Sequence, residues 1–213
     1  IAMKKQGFNN IVRFPNFKHI TSINENCLKD KYTEPYRMCF FARVTKEKGL
    51  EDAIEAVLAV NKKYGRMVYH LDVYGPVQDG QKELFEQLKD KFSDCAEYKG
   101  FVEPEESVET LQGYFGMIFP THYKTEGVPG TIIDAYAAGV PVVTARWDNC
   151  GDVLDEGVTG VGYELGNVDE LIECLDNICQ NPKRFISMKS DCVKKASEFM
   201  PEKIMETMLS KLS

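Results

Sequence analysis

The sequence predicts an α/β protein, a Rossmann-like doubly wound parallel sheet of about six strands with helices on both faces. Three observations predict it. Short apolar runs rich in β-branched and aromatic residues alternate with stretches of helical period along the chain. Such alternation builds βαβ units, whose right-handed crossovers leave the strands parallel. Glycine or proline closes several of these segments, as at Gly65, Gly75-Pro76 and Pro120. The 213 residues are 43% hydrophobic and 28% charged, which suits one globular domain with short appendages.

Residues 1–35 are mixed and polar and read as an interdomain connector. The run "YRMCFFARV" (36–44) is continuously apolar until its end and reads as a buried strand. Leu50, Ala53, Ile54, Val57 and Leu58 then recur at helical spacing, and Gly65 ends that helix. A strand over 67–75, an amphipathic helix over 81–92 and a short strand over 96–101 follow. Pro104 and the acids after it open a helix over 104–114. The strand 116–120 stops at Pro120. A glycine-rich turn leads into a helix over 130–138, then strands over 141–145 and 161–165. Helices over 168–180, 182–198 and 201–212 finish the chain, with Pro182 and Pro201 in the first turns of the last two. The domain proper is thus 36–198, with 199–213 a terminal helix.

Several classes are disfavoured. A net charge of −7 is the wrong sign for a nucleic-acid surface. Seven cysteines, an odd number with no Cys-x-x-Cys pair, argue for reduced, mostly buried thiols in a cytoplasmic protein rather than a disulfide framework or zinc site. No apolar run approaches ~18 residues, and no signal peptide is visible. The chain opens Ile-Ala-Met and reads as a piece of a longer protein. Its histidines are isolated at 19, 70 and 122. His70 suits a core or sheet face, and His122 is a candidate ligand contact. No two aspartates stand two apart, so the Asp-x-Asp device for a divalent metal is missing. A Gly-x-Gly-x-x-Gly fingerprint and a local nucleophile signature are also missing.

Ligands of open α/β sheets sit at the carboxyl ends of the strands. Two stretches fall there. Arg43-Val-Thr-Lys-Glu-Lys48-Gly49 follows the first strand and opens a helix. Free N–H groups at such a terminus, completed by Arg43 and Lys48, suit a phosphate. The plainer alternative is a solvated turn. The second stretch is "EGVPGTIIDAYAAGVPVV" (126–143). Gly127 and Gly130 let backbone approach a ligand, and amides near Gly130 and Thr131 point over the strand ends. Glu126 on the loop and Asp134 one turn into the helix could flank one ligand and take its hydroxyl pairs. The plainer alternatives are a loop acid for Glu126 and a helix-dipole partner for Asp134.

Taken together, "FARVTKEKG", "YKGFV", "IFPTHYKTEGVPGTIIDAYAAGVPVV" and "DEGVTG" followed by "GNVDELIECLDNI" resemble, in order over 36–180, the C-terminal donor-binding domain of GT-B glycosyltransferases. The likeness is to the retaining family four (group 1), of the type that builds bacterial surface polysaccharides. The resemblance implies a hexosyltransferase domain that binds a nucleotide-sugar, with UDP-sugar favoured, for retaining transfer to a glycan or lipid-linked acceptor. It implies that Arg43 and Lys48 hold the diphosphate and stabilise its charge, and that Glu126 holds the sugar hydroxyls. Gly127, Val128, Pro129, Gly130 and Thr131 would offer backbone to sugar and phosphate. Asp134 would take the ribose, Val102 the base and Gly75 the end of the second strand. Asp134 stands where the family has a second Glu, and Ala42 where Gly is usual.

No cofactor or metal is expected, because the nucleotide-sugar is the substrate. "IVRFPNFKHI" resembles the family's interdomain connector, which implies a missing N-terminal acceptor domain and an inactive fragment. It also implies a cytoplasmic enzyme, with peripheral association at the inner membrane face. Two rivals remain, a nucleotide-sugar-binding or interaction module without transfer, and a GT-B sugar-nucleotide epimerase. Sequence upstream of Ile1 would discriminate between them.

Overall fold

A computed structural model of the chain describes residues 6–7 and 16–212. Six strands form one sheet: β1 (Tyr36–Phe41), β2 (Tyr69–Tyr74), β3 (Ala96–Gly100), β4 (Gly116–Phe119), β5 (Val142–Arg146) and β6 (Gly160–Glu164). Their order is β3-β2-β1-β4-β5-β6, and every pairing is parallel. The chain builds outward from β1 to β3, then returns past β1 to lay down β4. That reversal leaves a crevice at the carboxyl ends of β1 and β4.

The helices are α1 (Leu50–Tyr64), α2 (Lys82–Lys89), α3 (Ser107–Leu111), α4 (Gly130–Ala137), α5 (Val168–Gln180), α6 (Pro182–Ser187), α7 (Lys189–Ser197) and α8 (Pro201–Leu212). α1 packs on α5 over one face, and α4 packs on α3 and α7 over the other. Strands covered on both faces must be apolar throughout. β4 is wholly buried, and β5 is buried except for Arg146.

The expected elements are present with shifted ends. The helix expected over 104–114 is a 3-10 turn at Pro104–Glu106 followed by α3, which ends before Gly113 at φ +92°. The single helix expected over 182–198 is two. The Met188 N–H reaches only three residues back, to Phe185 O at 3.2 Å. The tightened turn redirects the chain, so that α6 meets α5 and α7 meets α4. One straight rod could not serve both neighbours.

The described part of the connector lies on the domain. Ile23 N–H donates to Ala137 O at 2.9 Å, and the Tyr32 hydroxyl to Tyr114 O at 3.2 Å. Phe14 and Pro15 of the connector stretch lie outside the described residues. No helix of the described residues is long and apolar enough to cross a membrane. All seven cysteines are free; Cys39, Cys95, Cys150 and Cys192 are buried. Burial pushes the thiols of Cys150 and Cys174 up to about 11, so both stay protonated at neutral pH.

Candidate functional site

Two glycines bring the loops together. Gly49 closes the turn Lys46–Lys48 with φ +70°, and a Cβ on it would lie 2.0 Å from Pro120 O. Gly75 follows β2 with φ +130°, and a Cβ there would lie 1.9 Å from Ala42 O. Only glycine permits backbones this close in these conformations. The loops after β1, β2 and β4 therefore converge, as the doubly wound order requires.

Above them lies a cleft of ≈ 410 Å³. Six of the residues singled out in the sequence line it: Arg43, Gly75, Val102, Gly130, Thr131 and Asp134. Arg43 is exposed. Among the described residues its guanidinium has no hydrogen-bond or ion-pair partner. α4 starts at the cleft with Pro129 as N-cap, and no side chain caps it. Its first amides and partial positive charge stay open to an anion. The exposed ring of Phe101 and the buried Ser107 also line the cleft.

Lys48 and Glu126, also expected at the site, do not line this cleft and pair with each other. Lys48 Nζ lies 2.6 Å from Glu126 Oε2, which also accepts from Thr121 Oγ1 at 3.1 Å. Both side chains are largely covered, and the ammonium stands over the Phe119 and Tyr123 rings. The residues between the two acids divide. Gly130 and Thr131 reach the cleft, whereas Val128 is buried with its carbonyl taken by Asn16 Nδ2 at 3.2 Å. His122 pairs its Nε2 with Asp52 Oδ2 at 2.7 Å, which ties the loop after β4 to the first turn of α1.

Glu126 and Asp134, expected to flank one ligand, are not bare carboxylates. Each already holds a lysine. Asp134 is 2% exposed, and both its oxygens accept from Lys18 Nζ at 2.8 Å. Burial pushes the Asp134 carboxyl above its ordinary value, and the Lys18 ammonium opposes that shift. Asp134 is therefore neither a bare ribose acceptor nor only a helix-dipole partner. Sequence reasoning missed Lys18 because no spacing rule links positions 18 and 134. The signal was a cation within the connector stretch.

His70 is half-buried on β2, with Nδ1 3.4 Å from Asp72 Oδ1. His70, Asp72 and Glu97 could together offer three ligand atoms to a metal. Arg37 already pairs with Asp72, and Lys99 with Glu97 at 2.5 Å. Those cations balance the carboxylates without an ion.

The family model for Glycosyl transferases group 1 matches residues 35–181. Among curated relatives, the amylovoran biosynthesis glycosyltransferase AmsK of Erwinia amylovora is 29% identical over 158 residues, covering 72% of this chain and 38% of that protein. Among solved structures, a S. aureus TarM variant in complex with fondaparinux, alpha-GlcNAc-glycerol and UDP superposes with TM-score 0.77 at 17% identity. The match covers 98% of this chain and 41% of TarM. HepE of Anabaena, in complex with UDP and glucose, gives TM-score 0.72 at 17% identity, over 83% of this chain and 48% of HepE. The chain thus spans less than half the length of each of these proteins.

Proposed function

The chain belongs to the group 1 glycosyl transferases, and on that premise we propose that it is the donor-binding part of a retaining GT-B glycosyltransferase. Its cleft takes a nucleotide-sugar, with a UDP-sugar favoured. The observation that carries this is Arg43, a cation at the cleft with no partner among the described residues, beside the N-terminus of α4, which no side chain caps. A cation with no competing partner and free amides together suit a diphosphate.

Diphosphate charge grows as the glycosidic bond breaks, and cations that meet it there lower the barrier. Arg43 meets it in the cleft and Lys48 from the side. Glu126, held by Lys48 and Thr121, keeps Oε1 for a sugar hydroxyl. Phe101 and Val102 offer an apolar surface to the base. The UDP in the TarM and HepE complexes supports UDP over other nucleotides. The pairing of cations with amides, and the lack of an Asp-x-Asp, support binding without metal. The name of AmsK supports a role in polysaccharide biosynthesis, and the seven free thiols support a cytoplasmic setting. Residues 16–35 act as the interdomain connector, and α8 crosses toward an acceptor domain elsewhere in the protein.

Titration calorimetry with UDP and GDP, with and without chelator, tests the reading. The expected result is chelator-resistant binding that prefers UDP and is lost in Arg43→Ala with Lys48→Ala. Binding that needs a divalent cation, or that survives the double substitution, overturns it.

A further inference from the structure

Lys18 has no role in that account, yet it lines the cleft. Its ammonium sits 2.8 Å from each oxygen of Asp134. The Lys18 side chain is 29% exposed and that of Asp134 only 3%. A ligand entering the cleft therefore meets the ammonium before the carboxylate. An ammonium carries three N–H donors. Asp134 takes two, and among the described residues no other acceptor takes the third.

The lysine is also held from behind. Its backbone N–H donates to Phe199 O at 3.1 Å. Two residues earlier, Asn16 Nδ2 holds Val128 O at 3.2 Å, on the turn that opens α4. These anchors tie the segment to the turn before α4 and to the stretch after α7. A loose surface lysine has no such supports.

We propose that Lys18 is a donor-binding residue supplied by the connector, so that the pocket presents a Lys18–Asp134 pair to the ribose of the nucleotide. The proposal rests on the nucleotide-sugar reading above. The ammonium donates its third N–H to a ribose hydroxyl oxygen, while the outer lone pairs of the carboxylate accept from the ribose hydroxyls. A diol, which both donates and accepts, fits a site that does the same. Because the lysine belongs to the connector, displacing residues 16–18 removes a donor contact and strands a buried carboxylate.

Calorimetry with UDP and with 2′,3′-dideoxy-UDP tests it on the parent chain, Lys18→Met, Lys18→Arg, Asp134→Asn and the double variant Lys18→Met with Asp134→Asn. The double variant removes both charges and so leaves no stranded carboxylate to impair folding. Lys18→Met is expected to weaken UDP at least tenfold, with Lys18→Arg closer to the parent. The double variant is expected to bind UDP more weakly than Asp134→Asn alone. The dideoxy nucleotide is expected to bind the parent and Lys18→Met alike, since it lacks the hydroxyls. UDP binding in Lys18→Met as tight as in the parent, or tighter, makes the lysine a mere counter-ion or a competitor and overturns the proposal. Equality of the double variant with Asp134→Asn does the same. A parent chain that binds no nucleotide at all sinks the nucleotide-sugar reading itself, and this proposal with it.

Discussion

Lys189, the first residue of α7, is 3% exposed and lies at the end of α4 away from the cleft. Its ammonium donates to Tyr114 O at 2.8 Å and to Gly139 O at 2.9 Å, and stands 5.0 Å from the centre of the Tyr32 ring. Gly139 lies just past α4, so a cation holds the C-terminal end of the helix whose other end opens on the cleft. Burial pushes the amine down from 10.5 to about 8. The unfolded chain therefore binds more protons than the folded one between these values, and stability rises with pH across that window. At ~1.4 kcal/mol per unit of pKa difference, the gain from pH 7.5 to pH 10 is roughly 2 kcal/mol. A neutral amine still has two N–H groups for the two carbonyls, so the hydrogen bonds outlast the proton. Lys189→Met removes the titration. It also strands Gly139 O, at about 1–3 kcal/mol, while Tyr114 O keeps the Tyr32 hydroxyl. Relief of the buried charge and loss of the bond oppose each other near pH 7.5, where the two proteins should differ little. At pH 10 the parent should have gained roughly 2 kcal/mol over the variant. Urea titrations of both proteins at four pH values from 7.5 to 10 measure that divergence, because tyrosines and thiols common to both cancel. Parallel stability curves would mean that burial does not depress the Lys189 amine.

Gly75→Ala forces a Cβ to 1.9 Å from Ala42 O at φ +130°, which should cost more than about 2 kcal/mol and lower the melting temperature by several degrees. Lys48→Met leaves the half-buried Glu126 without its cation next to the diphosphate, so UDP affinity should fall by about 10- to 100-fold. Adding Glu126→Gln should recover part of that loss, and additive calorimetric effects would mean that the two residues act independently. Asp134→Glu restores the family's residue, from which the sequence alone leads one to expect equal or tighter UDP binding. The position is 2% exposed with both oxygens engaged, so the extra methylene should instead destabilise the fold by about 1–3 kcal/mol. A melting temperature equal to the parent's would show that the site has slack.

The sequence determined the doubly wound sheet, because apolar strands and helical repeats are local patterns that each segment carries within itself. It also determined which loops matter. Arg43, Gly75, Gly130 and Thr131 follow strands in the sequence and meet at the cleft, since the strand order turns back between β1 and β4. It did not determine charge pairing. Lys18 with Asp134 and Lys48 with Glu126 join residues 116 and 78 positions apart, and a side chain finds such a partner only after the intervening chain has packed. The same holds for Lys189, which reads as one more charge on a helix until its ammonium is set between two carbonyls from distant loops. Periodicity records which face of an element is buried. Which buried polar group answers which is decided by the tertiary structure, because each such group must find a partner once water is excluded.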